Sequence, residues 1–164
     1  MNKVYILLGG NLGNREKLFS EAREMIRNEI GAITKLSSIY ETESWGFNTE
    51  QLFLNQVILI ETEYSAIDTL SLLLNIEKQL GRKRSSNNYE SRSIDLDILF
   101  FNDTINNSKE LQVPHPRLHQ RMFTLVPLNE IASQKIHPVF NEKISTLKEK
   151  CSDKSKVNLF KLVN

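Results

Sequence analysis

Hydrophobic and polar positions along the chain change period several times, and each change predicts an element. Residues 3–8 are apolar and partly β-branched, the pattern of a buried strand, and Gly9-Gly10-Asn11 breaks it. Asn14 then caps a helix whose apolar positions Leu18, Ala22, Met25, Ile26 and Ile30 recur at helical spacing, with Gly31 as a left-handed stop. Residues 33–42 and 53–62 both predict strands. Ser65-Ala66-Ile67-Asp68 resembles a capping box with Asp in the usual Glu position. It opens a second helix with Leu70, Leu73, Leu74 and Leu80 on its apolar side, ending at Gly81. Residues 94–101 predict another strand, 104–106 with 110–113 a short hairpin, and 124–132 and 142–150 two shorter helices.

The order is strand, helix, strand, strand, helix, strand, then a C-terminal addition. That is the split βαβ order of an α+β ferredoxin-like sandwich: an antiparallel sheet, helices on one face, the other face open to ligands. No repeat, low-complexity run or linker divides the chain, so residues 1–164 are read as a single domain. A chain of 164 residues buries roughly 70% of its unfolded surface, enough for a real core. Residues 136–164 carry no readable chemistry and predict helix packing and a polar tail.

Charge and cysteine content narrow the function classes. Lys and Arg total 21 against 20 Asp and Glu, so no global basic excess speaks for nucleic acid. Cys151 is the single cysteine, which rules out an internal disulfide. The opening apolar run is too short for a signal segment, and no stretch approaches the ~18–20 apolar residues that cross a bilayer. A cytoplasmic protein that touches neither membrane nor nucleic acid is the expectation.

The sharpest chemical signal is Ile94-Asp95-Leu96-Asp97-Ile98-Leu99. On a strand, Asp95 and Asp97 share one face about 6–7 Å apart while Ile94, Leu96 and Ile98 turn to the core. Two aligned carboxylates repel, and bound Mg²⁺ relieves that repulsion while bridging phosphate oxygens. An ordinary alternating surface strand is the plain alternative. Just upstream, residues 82–92 hold Arg82, Lys83, Arg84 and Arg92 against one acid, Glu90, a local charge of +3. Such a segment suits a polyphosphate, although a charge run is more often a solvated loop. Glu77 sits in the last turn of its helix, where the macrodipole disfavours an anion. Either Arg82 or Arg84 offsets that cost, or Glu77 is half-exposed at the stripe edge. His115 is held between Pro114 and Pro116 and can donate to a phosphate or a base; Arg121 is a further phosphate candidate. Phe53 and Phe123 can stack on a flat heterocycle, and the amide of Asn55 suits a pyrimidinone-like edge. Phosphate-binding glycine loops of the GxxxxGK[ST] and GxGxxG types are absent, as is zinc-type Cys/His spacing.

Gly9-Gly10-Asn11-Leu12-Gly13, Tyr40-Glu41-Thr42, Phe53-Leu54-Asn55, Glu77, Gly81-Arg82, Arg92 with Asp95-Leu96-Asp97-Ile98, and Val113-Pro114-His115-Pro116 occur in that order. Together, over about residues 3–135, they resemble the 6-hydroxymethyl-7,8-dihydropterin pyrophosphokinase family of folate biosynthesis. The resemblance implies transfer of diphosphate from ATP to the pterin hydroxymethyl oxygen, release of AMP, a monomer, and two Mg²⁺ ions held by Asp95 and Asp97. It further implies that Arg82 and Arg92 engage the phosphates in catalysis. Arg84, Ile98, His115 and Arg121 would contact ATP, and Thr42, Phe53, Asn55 and Phe123 the pterin. A nucleotidyltransferase with a strand-borne Asp pair, and a ferredoxin-like regulatory or RNA-binding module, are the competing readings.

Overall fold

The computed structural model describes residues 1–44, 51–81 and 93–163. The long antiparallel pair β1 (Asn2–Gly10) and β4 (Phe53–Thr62) forms its centre, in register from Asn2 opposite Thr62 to Gly10 opposite Leu54. β5 (Asp95–Phe101) closes one edge against β1. On the other side of β4 lie β2 (Ala32–Leu36) and β3 (Ile39–Thr42), and β8 (Val157–Lys161) adds to β3. A small hairpin joins β6 (Asn106–Asn107) to β7 (Gln112–Val113). Among the described residues the main sheet therefore has six strands in the order β5-β1-β4-β3-β8, with β2 beside β4. Read without β8, this is the strand order of the predicted ferredoxin-like sandwich.

Alternation along the strands divides two cores. Val4, Ile6 and Leu8 of β1, Leu54, Ile58 and Ile60 of β4, and Leu96 and Ile98 of β5 face α1 (Arg15–Glu29) and α2 (Ala66–Gln79). Asn14 caps α1 by accepting from the Lys17 amide, as predicted. Phe19, fully buried on α1, belongs to this core although the periodic reading passed over it. Of the predicted stripe of α2, Leu73 is buried and Leu70 and Leu80 pack against the core, whereas Leu74 is exposed; Thr69, Ile76 and Glu77 are buried in addition. Ser65 accepts from the Asp68 amide and its hydroxyl donates to the Asp68 carboxylate.

The opposite face is only partly open, against expectation. Leu7, Val57, Leu99 and Phe100 are covered by Leu125 and Leu128 of α3 (Met122–Ala132) and Ile144 and Leu147 of α4 (Ile144–Lys150). Residues 136–164 thus do more than the expected packing and polar tail, since β8 extends the sheet. The predicted strand 33–42 is two strands, because Ser37 takes over the ladder between them. Its amide donates to Val57 O, its hydroxyl accepts from the Val57 amide, and its carbonyl accepts from Gln56 Nε2. From α3, Glu130 secures the same break by accepting from the Ser38 amide and hydroxyl and from Tyr40.

Gly31 corrects another expectation. Its φ is not left-handed; Gly13 and Gly81 are the described glycines with positive φ. A Cβ on Gly31 would instead lie 2.1 Å from the Glu61 carbonyl oxygen, so the chain needs glycine for close approach to β4. Gly31→Ala is expected to lower stability by about 1–3 kcal/mol, the cost of overpacking. Urea denaturation measures it, and an unchanged midpoint would show that the backbones part freely.

His137 is 2% exposed, lies against Phe100 and Phe140, and accepts through Nδ1 from the Val139 and Phe140 amides. Burial above all, with His119 and Lys135 adding, lowers its pKa to about 4. The unfolded chain takes up this proton near pH 6.5 and the folded chain near pH 4. The contribution is therefore complete above pH 6.5 and is lost as pH falls towards 4, at no more than about 1.4 kcal/mol per pH unit. Denaturant midpoints at pH 7.5 and 5 should fall with acid in the parent and fall less in His137→Gln; equal falls would contradict this assignment.

Candidate active site

Strand pairing assembles the site. Asp95 of β5 lies directly opposite Gly9 of β1, Gly9 opposite Asn55 of β4, and Asn55 opposite Tyr40 of β3. Directly opposed residues share a sheet face, so these four form one row across four strands. Asp97 (opposite Leu7) and Thr42 (opposite Phe53) belong to the same face. Strands lie about 4.8 Å apart, which puts the backbones of Asp95 and Asn55 about 10 Å apart with Gly9 between them.

Ile94, Leu96 and Ile98 are at most 5% exposed in the first core, while Asp95 and Asp97 are half-buried on the other face. This is the alternation the sequence predicts. Both carboxylates offer oxygen donors only, the set that suits a hard divalent cation such as Mg²⁺. Among the described residues no third His, Cys, Asp or Glu joins them as a ligand cluster. A cation there would complete its shell with oxygens from phosphate and water.

At the other end of the row Asn55 is buried at 3% exposure, and its Nδ2 donates to Thr42 Oγ1 at 2.9 Å. That contact orients the amide, and Oδ1 lies towards Gly9. Gly9 is the residue the sequence reading missed: it was a turn glycine there and is a strand residue here. A Cβ at Gly9 would sit 3.8 Å from Asn55 Oδ1, so among the described residues no side chain stands in the row between the amide and Asp95. A glycine inside a strand is the signal that marks such a place. Tyr40 follows in the row, its hydroxyl donating to Glu130 and its pKa pushed up to about 12 by burial and that carboxylate.

His115 is tied to β5 through its amide, which donates to Leu99 O at 2.9 Å. Its Nδ1 accepts from the Arg117 amide at 3.1 Å, which leaves the ring proton on Nε2 as a donor. Burial first and the Arg121 charge second lower its pKa to about 4, against an upward pull from Asp95. His115 is thus a neutral donor within electrostatic reach of both Arg121 and Asp95. The Arg121 guanidinium lies over the Phe123 ring, 5.5 Å from its centroid, where α3 begins. Phe53 and Phe123 are both half-buried. Ile98 is in the first core with Leu111 and Val113, facing away from Asp95 and Asp97. Arg82, Arg84 and Arg92 lie outside the described residues. Glu77 is not half-exposed: it is 1% exposed and accepts from the Leu96 amide at 2.7 Å.

Comparison with known proteins identifies relatives of this chain. Residues 5–133 match the family model of 7,8-dihydro-6-hydroxymethylpterin-pyrophosphokinase (HPPK). A 2-amino-4-hydroxy-6-hydroxymethyldihydropteridine pyrophosphokinase of Porphyromonas gingivalis is 42% identical over 138 residues, 82% of this chain and 93% of that protein. The Bacillus subtilis (strain 168) protein of the same name is 40% identical over 81% of this chain and 80% of its own length. The crystal structure of an HPPK-DHPS in complex with substrates superposes with a TM-score of 0.72 at 17% identity, over 91% of this chain. A wild-type Plasmodium falciparum HPPK-DHPS superposes with a TM-score of 0.70 at 18% identity. The chain spans 43% of the first of these two solved chains and 44% of the second, and the likeness is one of fold. On the family match and these identities, the chain belongs to the 7,8-dihydro-6-hydroxymethylpterin-pyrophosphokinase family.

Proposed function

We propose that this chain transfers diphosphate from ATP to the hydroxymethyl group of 6-hydroxymethyl-7,8-dihydropterin in folate biosynthesis, releasing AMP. Family membership supports the reaction. The observation that carries the site is the Asp95–Gly9–Asn55 row, which sets a carboxylate and a buried, oriented amide on either side of a bare glycine, with Asp97 next along the same face of β5. We further read the protein as a cytoplasmic monomer; among the described residues no helix is long and apolar enough to cross a membrane.

In this reading the amide of Asn55, fixed by Thr42, binds the polar edge of the pterin, and Phe53 and Phe123 take its faces. The hydroxymethyl group then points along the row, past Gly9, towards Asp95 and Asp97. Its oxygen attacks the β-phosphorus, the bond from that phosphorus to the α-phosphate oxygen breaks, AMP leaves, and the hydroxyl proton is lost. Two Mg²⁺ ions bound by Asp95 and Asp97 would neutralise phosphate charge and hold the ATP for in-line attack. His115 Nε2–H and the Arg121 guanidinium donate to ATP, and a neutral imidazole does so without titrating near pH 7. Arg82, Arg84 and Arg92 supply further cations to the phosphates. Positioning and electrostatics supply most of the catalysis in such transfers.

Incubating the protein with ATP, Mg²⁺ and the hydroxymethyl dihydropterin should yield AMP and a diphosphorylated pterin. Release of pyrophosphate would assign a nucleotidyltransferase instead. Asp97→Ala should lower turnover by about 10²–10³-fold, the worth of a pre-set electrostatic contact, with the circular dichroism of the parent. Near-normal turnover at saturating Mg²⁺ would contradict the assignment.

A further inference from the structure

Among the described residues β5 is the terminal strand of the sheet on the β1 side, so every second amide of it points to an outer edge with no described strand beside it. Leu96, the residue between the two carboxylates, has such an amide. Glu77 reaches it from the last turn of α2 and accepts its proton at 2.7 Å. Glu77 is 1% exposed, and Leu96 is 2% exposed. Antiparallel ladders alternate, so an outward amide at Leu96 turns the Asp95 and Asp97 amides inward to β1. The bond therefore fixes which way the strand faces where its two carboxylates project.

A carboxylate is a poor choice for a mere filler here. The macrodipole opposes an anion at a helix C-terminus, and burial opposes it again. Its stem nonetheless enters the core, at a helical position flanked by the buried Leu73 and Ile76.

We propose that Glu77 is a positioning residue for the Asp95–Asp97 pair, acting through the Leu96 amide to hold both carboxylates at the spacing a divalent cation needs. The inference rests on reading that pair as the metal site. Groups that orient metal ligands from behind typically change affinity 10–100-fold when removed. Glu77→Ala leaves the Leu96 amide unsatisfied, whereas Glu77→Gln keeps an acceptor oxygen at the same reach and removes the charge.

The experiment measures Mn²⁺ affinity by electron paramagnetic resonance at saturating α,β-methylene-ATP, at a temperature where circular dichroism shows every variant folded. Amide hydrogen exchange at Leu96 is followed in parallel. Glu77→Ala should weaken Mn²⁺ binding about 10–100-fold and speed exchange at Leu96. Glu77→Gln should stay within about threefold of the parent and keep Leu96 protected. A folded Glu77→Ala protein with parental Mn²⁺ affinity would overturn the inference and leave Glu77 a residue of stability alone. A Glu77→Gln protein that loses affinity would also overturn it, since charge rather than the hydrogen bond would then matter; this variant decides the matter if Glu77→Ala does not fold. Asp97→Ala is the control. If it too binds Mn²⁺ like the parent, the metal reading itself fails, and the role of Glu77 with it.

Discussion

A β-strand repeats every two residues, and at β5 that period does two things at once. It sends Leu96 and Ile98 into the core under α1 and α2, and it sends Asp95 and Asp97 to the opposite face. A slip of one residue would bury both carboxylates and expose the aliphatic side chains, so the hydrophobic core itself enforces the placement of the charges. The two charges still repel across about 7 Å. Both groups are half-exposed, which lets solvent screen that repulsion, and in the proposed reading a cation shared with phosphate would reverse its sign.

The second sheet face divides its length between stability and chemistry. Leu7, Val57, Leu99 and Phe100 are sealed under α3 and α4. Two residues further along β1 and β4 the row becomes Gly9 and Asn55, with no apolar side chain. The site is thus the next row of the same sheet, and its rigidity comes from the packing beside it. Glu130 contributes from α3 by joining Ser38 and Tyr40, which pins β3 and with it Thr42. Asp153, beyond α4, accepts from the Met122 amide and so caps the helix that carries Phe123.

What sequence alone revealed followed the strength of local periodicity. β4 spans the predicted residues 53–62, and β5 and the carboxylate pair lie where alternation put them. The Ser65 cap and the end of α2 at Gly81 were also readable, since both are local chemistry. The features that escaped depend on distant partners. Nothing local shows that Ser37 will stand in for a ladder residue against Val57, or that Gly31 must meet the Glu61 carbonyl. The burial of Glu77 was hidden because its described acceptor role serves an amide 19 residues away. β8 was hidden because a strand of exposed residues at a sheet edge has no two-sided pattern. In the site, the carboxylates were legible from spacing. Asn55 and Thr42 were named through resemblance, and their hydrogen bond needed the fold to bring two strands together.

The central claim is that one face of β5 gathers divalent cations at Asp95 and Asp97 for a triphosphate. Crystals grown with Mn²⁺ and a non-hydrolysable ATP analogue, with anomalous scattering collected at the manganese edge, test it most directly. The account predicts manganese peaks within bonding distance of both carboxylates, with analogue phosphate oxygens completing the shell. Manganese bound with the nucleotide elsewhere, both carboxylates bare, would contradict it.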